Sequence, residues 1–110
     1  MKKAFICSRY SGDVEKNAEK ALELCRLAID NGRAPFAPHL IYPQFLDDAS
    51  DMDRSIGIDC GKSWLESADE VWICIDDGIS SGMREEIKVA QENRRPIILV
   101  DNLEPLGLKE

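Results

Sequence analysis

A chain of 110 residues and 12.4 kDa leaves room for a single domain, read as residues 1–110. Its 44% apolar and 32% charged content is that of a soluble globular protein, and no apolar run nears the roughly 20 residues of a membrane span. The 14 Lys plus Arg against 21 Asp plus Glu give a net charge of −7, which opposes attraction to duplex DNA or to anionic membranes.

The N-terminus, Met1-Lys2-Lys3-Ala4-Phe5-Ile6-Cys7, is basic and then apolar. The apolar part stops at Cys7, too short for the core of a signal peptide, and reads as a first strand from Lys3 to Ser8. A cytoplasmic protein is expected. Ser11-Gly12-Asp13 then opens a helix whose apolar positions are Ala18, Ala21, Leu22, Cys25, Ala28 and Ile29. Asn31-Gly32 ends it. A second strand is predicted from Ala34 to His39, weakened by Pro35 and Pro38. Leu40 to Ala49 reads as a loop with aromatic content, and Ser50 with Asp53 as a capping box. The helix that follows carries Ile56, Cys60, Trp64, Leu65 and Ala68 at helical spacing, while Gly57 and Gly61 weaken it or mark a close approach. Glu70 to Ile75 is a third, nearly all-apolar strand, as a buried parallel strand should be. A third helix begins at Ser80-Ser81-Gly82 with Met83, Ile87 and Ala90 inward, and Pro96 to Val100 is a fourth strand. The last ten residues, with Pro105 and Gly107, form a short strand or a tail.

This alternation predicts an α/β three-layer sandwich, flavodoxin-like or Rossmann-like, with a parallel sheet of four or five strands in the order 2-1-3-4(-5). Ligands bind such sheets at the carboxyl ends of the strands. That rule gathers Ser8 to Asp13, His39 to Tyr42, Asp76 to Gly78 and Ser80 to Glu86 into one site. Ser8, Arg9, Tyr10, Ser11 and Gly12 form a strand-to-helix loop that could cradle an anion, or Ser11 simply caps the helix. Asp76 and Asp77 are ligands for sugar hydroxyls or plain turn residues. Glu86 lies about one turn inside its helix, beside the buried stripe, and Glu85 turns further toward solvent. His39 follows the second strand at the same sheet edge and is structural or functional with equal weight. Trp64 and Trp72 are read as packing residues. Asp47, Asp48, Asp51 and Asp53 lack the order of a calcium loop and read as a solvated loop with a helix start. The cysteines Cys7, Cys25, Cys60 and Cys74 form no C-x-x-C pair and read as buried thiols, so no metal site is expected.

Two of these segments carry a resemblance. Trp64-Leu65-Glu66-Ser67-Ala68-Asp69, followed by an apolar strand and Ser80-Ser81-Gly82-Met83-Arg84-Glu85-Glu86-Ile87, resembles the nucleoside 2-deoxyribosyltransferase superfamily. The family pattern is W-L-x-x-A-D, a strand, then S-x-G-x-G-x-E-L. Small phage and bacterial proteins of that superfamily share the S-x-G-M-x-x-E form. The resemblance implies that Glu86 is the nucleophile on the anomeric carbon, and that Ser80 and Gly82 sit near the sugar or a 5′-phosphate, with Ser81 between them a further substrate-binding candidate. It implies that Ser8 to Gly12 surround base and phosphate. Arg84 replaces the pattern's second glycine, where it crowds the sugar or binds a phosphate. The family's first-strand tyrosine falls at Phe5, so Tyr10 would substitute for it. The family's helical aspartate falls near Gly61 or Lys62, with Asp59 the nearest carboxylate.

The function implied is hydrolysis or transfer at the N-glycosidic bond of a (deoxy)nucleoside or its 5′-monophosphate, with no metal or organic cofactor. The other readings are a nucleotide-binding sensor or sequestering module without turnover, and an FMN-binding electron carrier. The partner is a small-molecule nucleoside or nucleotide. A homo-oligomer is expected, because the aromatic segment Tyr42 to Leu46 would otherwise lie exposed.

Overall fold

The structure, a computed structural model, describes residues 1–108. β1 (Lys2–Cys7) takes the middle of the sheet, and its residues Ala4 to Cys7 are buried on both faces. Parallel β2 (Arg33–Phe36) lies on one side of it and parallel β3 (Glu70–Cys74) on the other. β4 (Ile97–Asp101) adds to β3 in parallel, and β5 (Glu104–Pro105) closes the order β2-β1-β3-β4-β5. The expected order is found, with the short fifth strand antiparallel to β4 rather than parallel. Its reason is local. Asn102 and Leu103 both take positive φ, 50° and 58°, the backbone of a two-residue hairpin turn.

Strand alternation splits the core into two layers. Ala4, Ile6, Trp72, Cys74, Ile98 and Val100 face α1 (Val14–Asp30), which contributes Leu24 and Ala28. Phe5, Cys7, Val71 and Ile73 face the other way. There they meet Leu65 and Ala68, at the end of α3 (Asp51–Ser67), and Met83 and Ala90 of α4 (Ser81–Glu92). This is the predicted three-layer sandwich. All four cysteines are free thiols, with Cys7 and Cys74 buried and Cys25 and Cys60 half-buried. No helix among the described residues is long and apolar enough to cross a membrane.

Three expectations need correction. The second strand stops at Phe36 instead of His39, because Pro38 has no N–H for the ladder and instead starts α2 (Pro38–Ile41), running on into a 3-10 turn at Tyr42–Gln44. Ser11 does not cap α1. Asp13 does, its carboxylate accepting from the Lys16 N–H at 3.2 Å. Trp64 is not core: it is 49% exposed and stacks on Phe36 with ring centroids 4.7 Å apart. The inward line of α3 is instead Gly57, Gly61 and Leu65, while Met52 and Ile56 face outward. A Cβ at Gly57 would meet Leu46 Cδ1 at 3.4 Å, ordinary van der Waals contact, so no close approach requires the glycine there. Phe45, in the aromatic segment, is 66% exposed.

The amino end of β3 holds the main buried ion pair. Glu70 takes the Arg33 guanidinium in a fork, Nε to Oε1 at 2.8 Å and the second nitrogen to Oε2 at 3.1 Å. Trp72 Nε1 donates to the same carboxylate at 3.2 Å. The Arg33 hydrogen bonds, opposed by burial, hold the Glu70 carboxyl below its ordinary value. Its stabilising effect is therefore present above the ordinary carboxylate range and fades as pH falls through the lowered value. Glu70→Gln is expected to cost about 2 kcal/mol at pH 7, with the difference from wild type shrinking at pH 3. Urea unfolding at the two pH values checks this, and equal stability of the two proteins at pH 7 would contradict it.

Candidate active site

A cleft of about 500 Å³ opens at the carboxyl end of β1. Its walls come from the loop after β1, from α2 and the 3-10 turn, from the first half of α3 and from the start of α4. The start of α4 is fixed by Ser80, whose Oγ accepts from the Met83 N–H at 3.1 Å. Met83 then turns fully into the core, and Glu86, three residues on, follows it to the inner side. Its carboxyl is half-buried in the cleft wall. Burial raises its pKa to about 7, against a smaller lowering effect of the neighbouring Cys7 thiol. The carboxyl thus sits poised between its two protonation states at neutral pH.

Ser8 follows directly on β1 and is buried, yet its Oγ has no hydrogen-bond partner. The hydroxyl belongs to a residue of the cleft wall, where a ligand oxygen or nitrogen would satisfy it. The Ser8 carbonyl accepts from His39 Nε2 at 3.0 Å. A carbonyl brings no proton, so Nε2 carries it and Nδ1 keeps its lone pair. Burial lowers the His39 pKa, only partly offset by that bond, so His39 is a neutral acceptor in the cleft. Tyr10 packs beside it, with ring centroids 5.0 Å apart, and burial first and Asp48 second raise its pKa, keeping the phenol protonated. Asn17 Nδ2 holds this loop by donating to the carbonyls of Tyr10 and Ser11 at 3.0 and 3.1 Å.

Of the residues singled out in the sequence, the cleft brings together Ser8, Tyr10, Ser11, His39, Ser80, Ser81, Gly82 and Glu86. Arg9, Gly12, Asp59, Asp76, Asp77 and Arg84 do not line it. Arg9 Nε donates to the Asp77 carbonyl at 2.7 Å and ties the β1 loop to the turn after β3. Asp76 is engaged by Lys20 at 2.8 Å and by the Asn102 N–H at 2.8 Å, so it anchors α1 and the β4–β5 hairpin. Asp59 is exposed on α3. Arg84 is exposed on α4. Glu85 is exposed as expected, but it also borders the cleft mouth.

Sequence reasoning reached Gly61 and Lys62 only through the resemblance and missed the rest of the α3 wall and the acids before it. Asp47, Asp48, Asp53, Arg54, Ile58 and Lys62 all line the cleft, as do Gly57 and Gly61. The signal was present in the Ser50–Asp53 cap. Ser50 Oγ accepts from the Asp53 N–H at 3.3 Å, and the Asp53 carboxylate reaches back to the Asp47 N–H at 2.7 Å. In a parallel sheet every crossover helix starts at the carboxyl edge, so a cap placed there places its acids at the site. Gly61 has no atom within 4 Å of where its Cβ would be, because it faces the open cleft rather than another element. No three His, Cys, Asp or Glu side chains converge as metal ligands among the described residues.

Solved structures with this fold are known. A 2-deoxyribosyltransferase from the psychrotolerant bacterium Bacillus psychrosaccharolyticus matches with a TM-score of 0.74 at 16% identity, over 90% of this chain and 72% of that one. A 2-desoxiribosyltransferase from Leishmania mexicana matches with 0.63 at 11% identity, over 92% of this chain and 65% of that one. A CMP N-glycosidase from Clostridium botulinum matches with 0.56 at 16% identity, over 91% and 71%. At such identities the likeness is one of fold. A family model described as a domain of unknown function, DUF7768, matches residues 2–100. No curated protein sequence matches the chain.

The raised Glu86 pKa has a consequence for stability. Between its ordinary value of 4.5 and about 7, the folded protein keeps a proton that the unfolded chain releases. Stability therefore falls as pH rises through that window, by roughly 2 to 3 kcal/mol. Glu86→Gln removes this dependence, so the variant gains on wild type between pH 4.5 and pH 8.5. Denaturant unfolding at the two pH values measures it, and parallel pH profiles for both proteins would contradict the assignment.

Proposed function

We propose that this chain, which belongs to the DUF7768 family of domains of unknown function, breaks the N-glycosidic bond of a (deoxy)nucleoside or its 5′-monophosphate. The observation that carries this reading is the Glu86 carboxyl, half-buried in the wall of a cleft and shifted to a pKa of about 7. The named activities of the proteins that share the fold support it.

The step is a double displacement. A Glu86 oxygen attacks the anomeric carbon, and the bonding pair leaves with the base, which takes a proton from the water the open cleft admits. The glycosyl ester is then attacked by water, which loses its proton, or by a second base, and Glu86 is freed with retention at the sugar. The Ser8 hydroxyl and the N–H groups at the start of α4 serve the sugar and its 5′ substituent. The Tyr10–His39 pair offers an aromatic surface to the base, and the His39 Nδ1 lone pair an acceptor for its edge. One observation favours binding without turnover as the second reading. Where the resembling family carries a helical aspartate, this cleft has Gly61 and Lys62, and Asp59 lies outside.

A panel of nucleosides and 5′-monophosphates, with released base read by chromatography, separates the two. Wild type is expected to release base, and Glu86→Gln to lose roughly three orders of magnitude or more, since a carboxamide forms no glycosyl ester. Glu92→Gln, exposed in the last turn of the same helix, serves as the control and retains activity. Activity surviving in Glu86→Gln would sink the nucleophile. Tight binding with no release by wild type would leave the binding module standing.

A further inference from the structure

Five cations among the described residues are drawn partly out of water: Arg9, Lys20, Arg33, Lys62 and Arg95. Four of them are satisfied. Lys20 pairs with Asp76 and Arg33 with Glu70, while Arg9 donates to the Asp77 carbonyl and Arg95 to the Glu66 carbonyl. Lys62 is the fifth, and among the described residues it has neither a carboxylate in ion-pair range nor a hydrogen-bond acceptor. It lines the cleft one turn after Ile58 and two after Arg54 on α3, while Ser63 and Trp64 beyond it turn to solvent. The acids of the cleft do not offset it. Asp53 is turned onto the Asp47 N–H, and Asp47, Asp48 and Glu85 are exposed, where water screens them. Arg54 is exposed too, and lies against Asp51 and the Asp48 carbonyl. An ammonium withdrawn from water without a counter-charge is costly, and an anionic ligand removes that cost.

We propose that Lys62 is the residue by which this cleft recognises phosphate, so that its ligand is a nucleoside monophosphate and not a free nucleoside. This rests on the nucleotide part of the reading above and narrows its substrate class. An ammonium has three donors and no acceptor, so the group that faces it brings acceptor oxygens and negative charge. A phosphate monoester brings both. The Ser8 hydroxyl, buried and without a partner in the same cleft, also calls for a ligand oxygen or nitrogen. A free nucleoside has hydroxyls for Ser8 but no charge for Lys62. A monophosphate serves the two residues at once, and a cleft of about 500 Å³ has room for it. The phosphate is carried on either the 5′ or the 3′ oxygen of the sugar.

Titration calorimetry tests this in the Glu86→Gln background, so that binding is read without turnover. The probes are the common nucleosides and deoxynucleosides, each beside its 5′- and 3′-monophosphate. At low salt a monophosphate is expected to bind about tenfold more tightly than its nucleoside, and added salt narrows the gap. The position of the phosphate in the probe that gains, 5′ or 3′, locates it on the sugar. Lys62→Met keeps the apolar stem and removes the charge, and is expected to close the gap with nucleoside affinity unchanged. Lys62→Arg returns the charge and is expected to restore most of the gap. A gap that survives Lys62→Met overturns the proposal, as does a panel in which no monophosphate outbinds its nucleoside. No binding by any probe overturns the nucleotide reading along with it. The base-release assay separates the two claims. Base released equally well from nucleosides and monophosphates removes the phosphate role and leaves the glycosidic reading intact. A gap that depends on Lys62, in a protein whose wild type releases no base, supports the phosphate role while removing the catalytic reading.

Discussion

The pairing of β1 with a parallel strand on each side places everything else. The chain leaving β1 crosses to β2 through α1 on one face, and the chain leaving β2 returns to β3 through α3 on the other. The two connections part at the carboxyl end of β1, and a gap opens between them. Two small side chains, Cys7 at the end of the strand and Ser8 just after it, stand there, so nothing from β1 fills the gap. The first turns of α3 and α4 and the short α2 form its rim. An aromatic series holds that rim to the sheet. Phe5 packs on Phe36, Phe36 on Tyr42 and Trp64, and Tyr42 on Phe45.

Two glutamates, one buried and one half-buried, show how surroundings decide acidity. Glu70, at the amino end of β3, has Arg33 in a bidentate fork, the Trp72 indole and Lys2, and its carboxyl is held low. Glu86, at the opposite edge of the sheet, has its carboxyl held high, chiefly by burial. One residue type, at two places withdrawn from water to different degrees, is pushed in opposite directions by what surrounds the charge. The first arrangement stabilises the fold at neutral pH. The second costs stability there, and a domain bears such a cost where the group has chemical work.

The sheet was legible because its signals are local and strong. Ala4 to Cys7 and Val71 to Cys74 are continuous apolar runs, and the caps at Asn31-Gly32 and Ser80 stop and start helices in the expected places. Strand–helix alternation with right-handed crossovers then predicted the order that is found. What sequence could not resolve was direction around a helix and competition between polar partners. Asp76 reads as a site residue until Lys20, from a helix more than fifty residues earlier, is seen to claim it. Trp64 reads as core until Gly57 and Gly61, which look like interruptions, are found on the inward line of α3. Glu86 was legible because its spacing from Met83 ties it to a buried residue. The acids before α3 were not, because their cap was read as local chemistry and not as a statement about which sheet edge they occupy.

A covalent bond between sugar and protein is the most direct expression of this account. Intact-mass spectrometry after incubation with 2′-deoxy-2′-fluoro nucleosides and their 5′-monophosphates looks for it, since the electron-withdrawing fluorine slows loss of the sugar from the ester. A mass gain equal to one fluorinated glycosyl group, mapped by peptide sequencing to Glu86, is the result predicted. An adduct on another residue, or none from any member of the panel, would contradict it.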